Sequence, residues 1–145
     1  MFELSTLLTI VHFIGLGLAV GAASVKVVLL LKFKSNSAMI PVYLKVVRPI
    51  THVLITGIIL LTLSGIVWLL DGYPFSTELI IKLVLVALVW ILGPIIDNVV
   101  EPKFKQLAPA SDQPASAEFL AIMKKYLALE IFATALFYMI IIYWV

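Results

Sequence analysis

The stretch LSTLLTIVHFIGLGLAVGAASVKVVLLL, residues 4–31, decides the fold. It is long enough to cross a hydrocarbon core of about 30 Å, which takes about 20 helical residues, yet it carries His12 and Lys26. An ionisable side chain in such a span turns towards protein groups, a cofactor or a water-filled cavity rather than lipid. At about 100° per residue the two lie within roughly 40° of one another, so the helix has an inner face. Gly15, Ala19 and Ala23 fill that face between them, small enough to admit a neighbouring helix or a flat cofactor close to the backbone. A packing seam and a cofactor slot both satisfy the strip.

The rest of the chain supports the same environment. Of its 145 residues, 63% are hydrophobic and 12% charged, and the mean hydropathy is +1.20. Soluble domains carry about 25% charged residues, so this is a membrane protein with the lipid bilayer as its solvent. Further apolar runs at 49–70, 78–100 and 118–145 predict an all-α, four-transmembrane-helix up-and-down bundle in a single integral membrane domain. The run QLAPASDQPASA, 106–117, reads as a flexible linker. The first span reads as retained rather than cleaved, because no basic region precedes it and lysines follow it. The lack of cysteine excludes disulfides, thiolate metal sites, iron–sulfur clusters and covalently attached haem. No nucleophile–base pair, phosphate loop or nucleic-acid surface is recognisable.

Lys32, Lys34, Lys45 and Arg48 lie between the first two spans, and Lys103, Lys105, Lys124 and Lys125 flank the third connection; the second connection has Asp71 and Glu78. The positive-inside rule then predicts a cell-membrane protein with both termini on the non-cytoplasmic side, N-out/C-out, and a cytoplasmic linker. Tyr43 is expected at the interface, and Trp68, Tyr143 and Trp144 in the outer aromatic belt. Pro49 suits the first turn of the second helix. Asp71-Gly72 with Pro74 breaks the chain before an N-cap at Ser76 or Thr77. Gly93-Pro94 predicts a kink, and Glu101-Pro102 the end of the third span.

Depth decides which polar groups meet. At 1.5 Å per residue, His12 lies roughly 12 Å and Lys82 roughly 6 Å below the outer boundary, while His52 lies roughly 5 Å from the cytoplasmic one. The two histidines therefore cannot share one metal ion. His12 and Lys82 form an outer layer; Lys26, His52 and Asp97, with Glu130 somewhat deeper, form an inner polar layer. Tyr126, Glu130, Thr134 and Tyr138 recur every four residues, a stripe that faces the bundle. The inner layer reads either as a structural ion-pair network or as a proton path. In the outer layer, His12 beside Gly15, Gly17 and Ala19 meets the needs of a haem, with Lys82 as a second ligand in its neutral form. The cofactor-binding candidates are thus His12, Lys82, Gly15 and Ala19, with His12 and Lys82 on the metal.

Three segments carry a family likeness: LLTIVHFIGLGLAVGA at 7–22, TGIILLTLSGIVWLL at 56–70 and ELIIKLVLVALVWILG at 78–93. Together they resemble the superfamily that holds the HemJ-type protoporphyrinogen oxidases and the CopD-like copper-resistance proteins. The resemblance implies a four-helix membrane architecture and haem b bound by a histidine on the first helix and a lysine on the third, here His12 and Lys82. The chain departs from that pattern in continuing the first helix as AVGAASVKVVLLLKF, 19–33, and in having Trp90-Ile91 where a Tyr-His pair is usual. A haem-binding membrane oxidoreductase with a redox or porphyrin-related role is the leading expectation. A small proton-coupled transporter or channel using Lys26, His52, Asp97 and Glu130, and an accessory subunit of a larger membrane complex, are the alternatives; the partners expected besides the lipid bilayer are further copies of the chain, in a homo-oligomer, or such a complex.

Overall fold

The computed structural model describes residues 3–110 and 113–143; Trp144, expected in the aromatic belt, lies outside them. All regular structure among the described residues is helical: α1 (Leu4–Phe33), a 3-10 turn (Ser37–Met39), α2 (Ile40–Leu70), α3 (Thr77–Ile95), a π turn (Ile96–Val100), α4 (Glu101–Leu107) and α5 (Ala117–Ile142). Taking α3, the π turn and α4 as one span, four helices are long and apolar enough to cross a membrane. Their outer surfaces expose large apolar side chains such as Leu7, Val28, Ile59, Leu88 and Phe132, as a bilayer requires and water does not favour. The result is the all-α four-helix bundle that hydropathy predicts.

Consecutive spans run antiparallel. Gly15 lies against Gly57 and Leu61 while His12 reaches Ser64, so α1 and α2 pass in opposite directions. Lys26 meets Glu130 and Ser24 meets Tyr138, which does the same for α1 and α5. α1 packs along α2, and α5 packs on both α1 and α3, whereas α2 and α3 make little direct contact. The buried side chains form two clusters. One, at the end carrying the lysine-rich connections, is built on Leu30, Tyr43, Val100, Phe104 and Tyr126; the other, further along, on Ala19, Ile58, Val89 and Phe137.

The helix limits differ from expectation at two prolines. α2 starts at Ile40, nine positions before the sequence boundary, so it is Pro41 that occupies the first turn and Pro49 lies inside the helix. The Asn36 side chain accepts from Ala38 N and sets the preceding turn. Tyr43 consequently sits on an ordered helix face and is fully buried, 0% exposed, rather than interfacial. The third span does not stop at Glu101-Pro102. Pro94 removes a donor to the Trp90 carbonyl, the helix widens into the π turn, and α4 restarts with Pro102 in its first turn. A π turn absorbs one extra residue without breaking the rod, which carries the span to Leu107. Gln106 and Leu107, assigned to the linker, are therefore helical. Ser76 caps α3 and Ser116 caps α5, each accepting from a backbone N–H, and Gly72 takes the positive φ of +89° that its turn needs.

The α1–α2 seam depends on two glycines. A Cβ on Gly57 would stand 2.5 Å from Ala19 N and 2.7 Å from the Gly15 carbonyl; one on Gly15 would stand 2.9 Å from Gly57 O. Both obstacles are backbone, which cannot swing aside. Gly57→Val is expected to destabilise the bundle by about 1–3 kcal/mol through forced helix separation, measured by unfolding in mixed detergent micelles. Gly21→Ala, where a Cβ meets nothing within 4 Å, is expected to leave the midpoint unchanged.

Candidate functional site

The gap between α2 and α3 is a cavity of about 440 Å³, closed at its back by α1 and α5. His12 and Lys82, the two outer-layer residues, both line it. Its walls are otherwise mainly apolar, with Leu16, Leu61, Val86 and Phe137 among them. That size and composition match a small-molecule site, in which a few polar groups orient a ligand inside an apolar envelope. Trp90 bridges the gap, its indole Nε1–H donating to Thr62 Oγ1 at 2.9 Å, and Thr62 in turn donates to the Ile58 carbonyl at 2.8 Å.

The environment of His12 fixes how its ring is used. Ser64 Oγ lies 2.7 Å from the Leu60 carbonyl and 2.8 Å from His12 Nδ1. A serine hydroxyl accepts from a protonated Nδ1 or donates to a bare one, and in either case it orients the imidazole. A contact of this kind holds a histidine ring in one orientation. Trp68 packs on the ring, centroids 4.8 Å apart; this tryptophan was expected only as an interfacial anchor. Gly15 and Ala19 are not on the cavity wall. They are buried in the seam against Gly57, because the close helix approach consumes the small-residue strip that was open to either a helix or a flat cofactor.

The inner layer is divided. Lys26 Nζ lies 2.6 Å from Glu130 Oε1 and 3.6 Å from Asp97 Oδ1, with side-chain exposures of 3%, 4% and 24%. His52 is exposed and stands outside this network, because α2 turns it away while presenting Thr51 inward. Three residues that sequence reasoning did not place here complete the arrangement. Tyr126 donates to Glu101 Oε2 at 3.1 Å, and Tyr43 meets the Tyr126 hydroxyl at 2.9 Å. With Tyr126 donating onward, Tyr43 is the donor to it. The four-residue stripe through Tyr126 and Glu130 was the available signal for Tyr126. Tyr43 and Glu101 became visible only once α2 and α4 proved helical.

A second, water-sized cavity of about 30 Å³ adjoins Lys26, Asp97 and Glu130, beside Gly93. Among the described residues no group of three or more His, Cys, Asp or Glu side chains is arranged to hold a bare metal ion. Comparisons with protein-family models, curated proteins and solved structures gave no match.

Tyr126→Phe removes one hydroxyl and leaves the Glu101 carboxylate and the Tyr43 hydroxyl to find other partners. A buried group stranded in this way costs about 1–3 kcal/mol, and that loss is expected in equilibrium unfolding. Tyr138→Phe, which removes only the exposed bond to Ser24, is expected to change stability by less than about 0.5 kcal/mol.

Proposed function

We propose that this multi-pass membrane protein holds a flat amphipathic cofactor of the haem b type in the α2–α3 cavity, for a redox or porphyrin-related role. The observation that carries this reading is His12, oriented by Ser64 Oγ at 2.8 Å from its Nδ1, together with Lys82 on the wall of a largely apolar cavity of about 440 Å³. A porphyrin supplies four of the iron ligands itself, so one imidazole suffices from the protein. Lys82, on the same cavity, serves as the cation that meets an acidic edge group of the ligand. Sparse contact between α2 and α3 gives an apolar ligand a lateral way in from the bilayer. The likeness of 7–22, 56–70 and 78–93 to the HemJ-like and CopD-like superfamily points the same way. The lysine-rich connections assign their end of the bundle to the cytoplasm.

When bound, such a cofactor supplies one-electron chemistry. The chain's own part is to ligate through His12, to orient that ring through Ser64 and to exclude water with its apolar walls. Protein purified with haem supplied is expected to show a Soret band. His12→Ala should abolish it, Ser64→Ala should weaken haem affinity about 10-fold or more, and Lys82→Met should lower affinity while preserving the band. A colourless wild-type protein, or a band indifferent to His12→Ala, contradicts the reading.

A further inference from the structure

The ion-pair network does not balance its own charge. Lys26 from α1 faces Asp97 and Glu130, and Glu101, hydrogen-bonded to Tyr126, adds a third carboxylate close enough for its charge to act on Lys26. One ammonium against three carboxylates leaves two negative charges when all are ionised, within a bundle whose outer surface is apolar. Uncompensated charge in that setting is strongly unfavourable. The other groups facing the network, Tyr43 from α2 and Tyr126 from α5, supply hydroxyl donors without positive charge, and Lys105 beyond Glu101 is exposed. Two bound protons restore neutrality.

Water has a place next to these groups. The cavity of about 30 Å³ lined by Lys26, Asp97 and Glu130 holds about one molecule with polar partners. One turn from Glu130, the buried Thr134 hydroxyl has no hydrogen-bond partner among the described residues. Ile58, Val89 and Phe137 line this small cavity and the large one alike. A single apolar layer therefore separates the network from the space that contains His12. Hydrophobic constrictions of this kind pass ions or protons when wetted and block them when dry. Beside the layer, Pro94 leaves the Trp90 carbonyl without its helical donor and the π turn follows at once, so the backbone there has a second arrangement within reach.

We propose that the chain conducts protons between its two ends, with the Lys26–Asp97–Glu130–Glu101 network as the loading site and Ile58, Val89 and Phe137 as the gate to the His12 cavity. A proton enters through the large cavity, crosses the wetted gate to Glu130 or Asp97, and leaves by way of half-buried Glu101; none is consumed. Bound haem is not required, so this activity stands or falls separately from the cofactor.

The test uses the full chain without added haem in phosphatidylcholine–phosphatidylglycerol vesicles, with an internal pH dye and a potassium diffusion potential. Proton uptake is expected to exceed that of protein-free vesicles. Glu130→Gln should lower it about 10-fold, Phe137→Ala should raise it several-fold, Phe137→Trp should lower it, and Gly21→Ala should match wild type. If Glu130→Gln proves unfolded by circular dichroism, Asp97→Asn takes its place with the same expected loss. Wild-type flux equal to protein-free vesicles, flux indifferent to both acidic substitutions, or a current carried by sodium instead of protons would overturn the proposal.

Discussion

The ion pair between Lys26 and Glu130 is the constraint on which the rest of the bundle depends. Both side chains are buried, and Glu130 sits near the middle of α5, where a lone charge is least tolerable. The 2.6 Å contact is possible only at one register and one rotation of α1 against α5. Asp97 at 3.6 Å then ties the third span to the same point. Close packing of apolar helices in lipid gains little from the hydrophobic effect, so polar contacts and steric fit decide the arrangement. Here the steric part is the Gly15–Gly57 seam, which locks α2 on α1.

With α2 fixed to α1, and α3 fixed to α5 and Lys26, α2 and α3 are left apart. The cavity is the space that remains. His12 reaches it because the strip that faces Gly57 lower on α1 faces Ser64 and Trp68 higher up. Lys82 reaches it from α3. The two polar regions of α1 thus have different surroundings: Lys26 ties α1 to α5 and the third span, while His12 lines an apolar chamber. Ile58, Val89 and Phe137 stand between them.

Hydropathy made the four spans legible, since burial of about 20 apolar residues per helix has no alternative in a bilayer. Depth counting along the helices was sufficient to group His12 with Lys82 and Lys26 with Asp97 and Glu130, because rise and twist per residue are fixed. What it missed were local decisions made by tertiary context. Pro41 and Pro49 carry the same preference for a helical first turn, and only packing of Tyr43 into the aromatic cluster with Phe104 and Tyr126 selects the earlier start. Glu101-Pro102 looks like a terminus, yet the π turn lets the helix pass through it and delivers Glu101 to Tyr126. Gly15 and Ala19 fit a ligand and a helix equally well, and only the fold shows that Gly57 on α2 claims them.

The central claim, that Lys26 and Glu130 act as one buried unit, is tested most directly by a double-mutant cycle of Lys26→Met and Glu130→Leu, with unfolding in mixed micelles as the readout. Lys26→Met strands the Glu130 carboxylate, at an expected cost of about 3–5 kcal/mol, while Glu130→Leu leaves Lys26 with Asp97 alone at 3.6 Å and costs less. The double variant removes both charges and should be less destabilised than the sum by about 1–3 kcal/mol. Strict additivity of the two costs would contradict the account.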